Sequence, residues 1–158
     1  VPDWDNAQAG TMFEQMLTQS KDIKGVLAAN DGIANAAIGV LRKYRLNGEV
    51  LVTGQDATVQ GLRNILAGDQ CMTVYKDIEK EAAAATGLAV ALARGERPPA
   101  LTEAITDPET GRTIPAVLLT SKAVTRDTIA EVIAEGFVTR EELCAAEYAA
   151  ACANANLG

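Results

Sequence analysis

Apolar residues recur along this chain in two alternating rhythms, one helical and one strand-like. Over residues 7–19, Met12, Phe13, Met16 and Leu17 fall at helical spacing and predict an amphipathic helix. Residues 25–29 (GVLAA) form a short apolar run suited to a buried strand, closed by Asn30-Asp31-Gly32. A second helix is expected over 33–44 with Asp31 as its N-cap, and Asn47-Gly48 marks a turn behind it. Residues 50–53 predict a second strand, closed by Gly54-Gln55-Asp56. The third helix, over 57–67, carries Val59, Leu62, Ile65 and Leu66 on one side and stops at Gly68. Residues 72–75 predict a third strand, after which Lys76-Asp77 opens a long helix reaching about residue 94. Such alternation with short connections predicts an α/β fold, a parallel sheet flanked by helices and built from right-handed βαβ units.

Beyond Gly95 the pattern changes. Pro98-Pro99 and the run Asp107-Pro108-Glu109-Thr110-Gly111 mark loops or turns around a short strand. Residues 113–120 (TIPAVLLT) predict a further strand, in which Pro115 favours an edge or hinge position. Short helices are expected over 128–134, ended by Gly136, and over 141–153.

Composition narrows the function classes. With 158 residues the chain can bury a core of its own, and 48% hydrophobic with 22% charged residues places it among globular proteins. A net charge of −7 opposes wholesale binding to nucleic acid, so no nucleic-acid partner is expected. There is no histidine, which removes His-based triads, the commonest zinc ligand and the usual general base. Neither a GxGxxG motif, a phosphate loop nor a GxSxG elbow occurs, so an enzyme on a doubly wound sheet is disfavoured. A response-regulator-like domain would need an acidic cluster, and Asp56 alone does not make one.

In an open parallel sheet, ligands bind beyond the carboxyl ends of the strands. Each expected strand delivers a polar residue there: Asn30, Asp56 and Lys76. An amide, a carboxylate and an ammonium together donate and accept, as a ring of sugar hydroxyls requires. Trp4, the only tryptophan, offers a flat apolar face to a pyranose and an indole N–H to an oxygen. Taken singly, each residue has an ordinary reading. Asp56 could cap the following helix, Asn30 could serve a turn, Lys76 could be solvated and Trp4 could simply pack. Their joint occurrence at equivalent strand ends favours a site.

The runs AANDGIANAAIGVLRKYRLNG and VTGQDATVQGLRNILAGDQCMTVYKDI, with PDW upstream, resemble the D-xylose-binding proteins of bacterial ABC importers. These belong to the ribose/galactose-type (cluster B) periplasmic-binding family. The resemblance covers roughly residues 4–137 and implies a periplasmic-binding-protein type I lobe, incomplete without its amino-terminal lobe. By motif it places sugar contacts on Trp4, Asn30, Asp56 and Lys76; here the third motif reads TGQDA, which keeps the Asp. It implies no cofactor and no catalysis. The implied partners are a monosaccharide (D-xylose first), an amino-terminal lobe in the same protein or a companion chain, and an ABC permease. The implied location is the periplasm, or the cell surface by a lipoprotein tether. On this reading the chain, which opens Val1-Pro2-Asp3-Trp4, is the carboxyl-terminal part of a longer protein. Residues 1–76 and 111–120 would form the sugar-binding lobe, 77–110 would pack on the absent lobe, and 121–158 would supply hinge and tail helices. The helix after Lys76 is then expected to show a bare apolar side. The rival reading is the sugar-sensing module of a lactose-repressor-family regulator, which has the same two-lobed fold.

Of the three cysteines, Cys71 begins an apolar strand and is expected to be a buried free thiol. Cys144 and Cys152 either form a disulfide, as in an exported protein, or stay reduced on one helix. Eight residues of continuous helix rise about 12 Å, too far for a bridged pair, so a disulfide requires a break between residues 147 and 151.

Overall fold

The computed structural model describes residues 1–96, 101 and 103–157. In chain order, a 3-10 turn (Pro2–Trp4) leads into α1 (Asn6–Gln19), β1 (Gly25–Leu27), α2 (Asp31–Lys43), β2 (Leu51–Thr53), α3 (Val59–Ala67) and β3 (Thr73–Tyr75). Then come α4 (Ile78–Ala93), β4 (Glu103–Thr106), β5 (Thr113–Ala116), β6 (Lys122–Val124), α5 (Ile129–Ala134), α6 (Arg140–Leu143), a second 3-10 turn (Ala146–Tyr148) and α7 (Ala149–Asn154). These elements form two compact units: Val1–Tyr75 with Lys122–Gly158, and Lys76–Ser121.

In the first unit β1 and β2 run parallel, Gly25 opposite Leu51 and Leu27 opposite Thr53. A parallel bridge from Thr53 to Met72 continues the ladder towards β3. Backbone bonds extend it beyond the strand ends, from Gly54 N–H to Met72 O (3.0 Å) and from Asp56 N–H to Val74 O (2.8 Å). On the far side of β3, β6 adds antiparallel, Thr73 opposite Val124. The parallel βαβ arrangement expected from the alternation is therefore present, and the antiparallel β6 is an addition that three residues of sequence could not announce.

Helical spacing selects what these helices bury. In α1 the buried residues are Ala9, Phe13 and Leu17, at intervals of four, while Met12 and Met16 of the expected stripe are exposed. In α2, Ala34, Ala37, Ile38 and Leu41 join Phe13, Leu17 and Val52 in one apolar cluster. A second cluster gathers Leu62, Ile65 and Leu66 of α3, Tyr75, Val124, Ile129, Val132, Leu143 and Cys152. Helix α3 ends where expected, at Gly68, whose φ of +85° suits glycine.

Several expectations need correction. The N-cap of α2 is Asn30, not Asp31, and α3 begins at Val59 behind Thr58, so Asp56 caps no helix. Cys71 is free but exposed, because it lies before β3 rather than within it, its thiol 3.0 Å from Val52 O. Cys144 and Cys152 are bridged, with Cα atoms 5.8 Å apart. The helix expected over 141–153 is accordingly two helices, and the break covers residues 144–148, mostly ahead of the stretch where it was expected.

The second unit consists of α4 and the β4–β5 hairpin. The hairpin pairs Glu103 with Ala116 and Thr106 with Thr113. Its turn is the one expected at 107–111: Asp107 N–H donates to Arg112 O (2.9 Å), Gly111 N–H to Asp107 O (2.8 Å), and Gly111 takes φ +68°. The strand expected over 113–120 is confined to Thr113–Ala116 and pairs with β4, so residues 111–120 fall in this unit rather than in the first. None of the residues of α4 is buried, and Ile78, Val90, Leu92, Ile105, Ile114, Leu118 and Leu119 are all exposed. The expected Pro98-Pro99 loop lies outside the described residues.

Candidate functional site

Strand β1 leads through Ala28 and Ala29 to Asn30, whose extended backbone (φ −154°, ψ 173°) starts α2. Its Oδ1 accepts the Ile33 N–H at 2.9 Å, which fixes the side chain and leaves the amide N–H groups as the donors it can present. Next in sequence, Asp31 turns inward. Its backbone N–H donates to Gln55 O (2.8 Å), tying the end of β1 to the loop after β2.

That loop is unusual. Asp56 (φ +97°) and Ala57 (φ +50°) are consecutive non-glycine residues in left-handed conformations, each costing on the order of 1–3 kcal/mol. Three bonds hold the turn: Asp56 N–H to Val74 O, Ala57 N–H to Thr73 Oγ1 (3.2 Å), and Gln55 Nε2 to Ala29 O (3.2 Å). The effect is to raise Asp56, half-buried, at the carboxyl end of β2, beside the end of β1 that carries Asn30.

Trp4 precedes α1, whose amino-terminal end lies beside that of α2 at this rim. It ends the 3-10 turn with φ +57° and is 61% exposed. Asp5 follows and caps α1, accepting from Ala7 N–H (2.8 Å) and Gln8 N–H (3.0 Å). These bonds, led by the Gln8 N–H, hold the Asp5 carboxyl below the ordinary aspartate value. Helix α1 lies alongside α2 in the same direction: Asn6 touches the position of Gly32, Gly10 faces Ala36, and Glu14 bonds Lys43 and Tyr44. The two amino-terminal ends therefore sit side by side, and Trp4 and Asn30 each precede their contact residue by two positions. Lys76 follows β3 directly and is the first residue of the second unit.

What sequence reasoning missed is the device beneath this rim. Asp31 is 1% exposed and accepts four hydrogen bonds from neutral donors. Oδ1 takes Gln70 Nε2 (2.9 Å) and Thr73 Oγ1 (2.8 Å); Oδ2 takes Thr58 N–H (2.8 Å) and Thr58 Oγ1 (3.1 Å). Gly54 and Gly61 make room for it, since a Cβ at either position would lie 2.1 or 2.2 Å from its oxygens. A carboxylate at the first turn of a helix resembles a cap in sequence; only the packing of three strands distinguishes this one.

Residues 1–97 match the periplasmic binding protein domain. The chain belongs to the periplasmic binding protein family. It is 38% identical to the D-xylose-binding periplasmic protein of Haemophilus influenzae over 146 residues, covering 90% of this chain and 43% of that protein. The Escherichia coli D-xylose-binding periplasmic protein is also 38% identical, over 148 residues with the same coverage. Among solved structures of the family, the carbohydrate transporter solute-binding protein from Chloroflexus aurantiacus, in complex with D-glucose, is 32% identical with a TM-score of 0.73, covering 89% of this chain and 42% of that one. The fold is thus the family's type I lobe, as expected from the sequence, and the chain spans less than half the length of these relatives.

Proposed function

We propose that this chain is the carboxyl-terminal part of a solute-binding protein that takes up a monosaccharide, D-xylose first, between two lobes and delivers it to an ABC permease. What supports the reading is that Asn30 and Asp56 follow neighbouring parallel strands, while the helix behind Trp4 starts beside the helix behind Asn30. An amide donor, a carboxylate acceptor and an exposed indole face form half of a carbohydrate cradle. Lys76, leaving the end of β3, supplies an ammonium donor to the same ring of hydroxyls. The site binds and does not catalyse. The named relatives favour transport over a lactose-repressor-type regulator.

The other half of the cradle belongs to an amino-terminal lobe, in the same protein or a companion chain. The bare apolar residues of α4 and the hairpin support this, since large apolar patches seldom stay uncovered on a soluble protein. Closure follows because the sugar touches both lobes only when they meet, and the closed form is what the permease reads. We place the protein in the periplasm, or outside the cell on a lipoprotein tether.

Calorimetric titration of the intact protein with D-xylose tests the site. Asp56→Ala removes a charged acceptor and should weaken binding by about 1–3 kcal/mol, roughly 5- to 150-fold. An unchanged affinity would contradict the assignment.

A further inference from the structure

We infer that the buried Asp31 carboxylate is a positioning residue for sugar binding, acting through the strained turn that carries Asp56. The inference rests on the site reading above and adds a residue that touches no ligand.

Two consecutive left-handed non-glycine residues persist only where the surroundings over-determine them. Here the turn at Asp56 and Ala57 is clamped on both flanks by the same residue, upstream by its backbone and downstream by its side chain. Ahead of the turn, the Asp31 backbone N–H holds Gln55 O. Behind it, Asp31 Oδ2 holds both the backbone N–H and the hydroxyl of Thr58, the N-cap of α3. From below, Asp31 Oδ1 accepts a hydrogen bond from the Thr73 hydroxyl. With its proton so committed, Thr73 Oγ1 turns a lone pair to the Ala57 N–H at 3.2 Å. One carboxylate therefore sets the residue after Asp56, the residue after that, and the start of the helix beyond.

The surrounding sequence is built to admit that carboxylate. Gly54 follows β2 and Gly61 lies in the first turn of α3, and each faces one of its oxygens too closely for any side chain. Gln70 is buried and orients its Nε2 to both Asp31 Oδ1 and Met72 O (3.1 Å). Asn30 does not depend on the same clamp, because its side chain is fixed by Ile33 N–H and the backbone bond from Asp31 to Gln55 survives loss of the carboxylate. The effect of Asp31 on a sugar therefore passes through Asp56.

That route gives a test which a general loss of stability would not imitate. D-xylose affinity is measured by calorimetry for the intact protein and for Asp31→Ala, Asp56→Ala and the double variant, each shown to be folded by circular dichroism. The expected result is a loss of 10-fold or more for Asp31→Ala, with the double variant within about threefold of Asp56→Ala alone. Should Asp31→Ala not fold, Thr73→Val cuts the link to Ala57 while keeping side-chain volume, and the same non-additive pattern is expected. Losses that multiply in the double variant, or full affinity in Asp31→Ala or Thr73→Val, would overturn the inference. Full affinity in Asp56→Ala would instead remove the site reading on which it rests.

Discussion

Asp5 joins the turn that carries Trp4 to the helix behind it, and its carboxyl is held below the ordinary value of 3.8 by the N–H groups it caps. A carboxylate with a lowered folded-state pKa contributes its stabilisation in full above the unfolded value and loses it as pH falls through the folded one. Because Trp4 is the only tryptophan in these 158 residues, the fluorescence of this stretch of chain reports the junction. The signal should stay level from neutral pH down to about pH 4 and then change with a midpoint below the ordinary aspartate range. In Asp5→Ala that step should vanish; a step that persists unchanged would contradict the role given to the cap. At this scale the chain was partly legible. Asn30 and Asp56 could be named as candidates because ligands of open parallel sheets bind beyond the carboxyl ends of the strands, and Trp4 because an indole offers a flat apolar face, although each also had an ordinary reading. Asp31 could not, because its four donors come from residues 27 to 42 positions away, and nothing local separates it from a helix cap. The left-handed turn was equally hidden, since neither Asp56 nor Ala57 announces a positive φ.

Among elements, the tail shows how a covalent link redirects a helical pattern. Residues 141–153 have helical composition throughout, yet the bridge holds Cys144 and Cys152 5.8 Å apart, less than half the rise that continuous helix would impose. The chain therefore stops α6 after a capping box of Thr139 and Glu142, turns once, and restarts as α7. Arg63 of α3 fastens this tail, donating to the carbonyls of Glu142 and Leu143 and standing 4.9 Å from the Tyr148 ring. Since α3 starts three residues after Asp56, the tail braces the helix that follows this turn. A bridge between cysteines eight positions apart is worth about 2–3 kcal/mol by loop entropy. Thermal unfolding of Cys144→Ser/Cys152→Ser should accordingly begin several degrees lower than in the parent. A thiol count in denaturant without reductant should find one cysteine, Cys71, in this stretch of chain; three would exclude the bridge. The three parallel strands and their helices were legible because each apolar run was bounded by turn residues. Strand β6 was not, because Lys122–Val124 owes its pairing to β3 rather than to any pattern of its own.

For the molecule as a whole, the described residues divide into a unit with two apolar clusters and a unit whose helix buries nothing. The first has the fold of a periplasmic-binding-protein type I lobe, and the second exposes apolar side chains. Sugar binding as proposed depends on what gathers at the strand ends. A structure of the intact protein with D-xylose bound tests it most directly. We expect Asn30, Asp56 and Lys76 within about 2.7–3.2 Å of hydroxyls of one sugar ring, with the Trp4 indole against its face. A sugar seated away from these side chains, or the four of them dispersed to different sides of the molecule, would contradict the account.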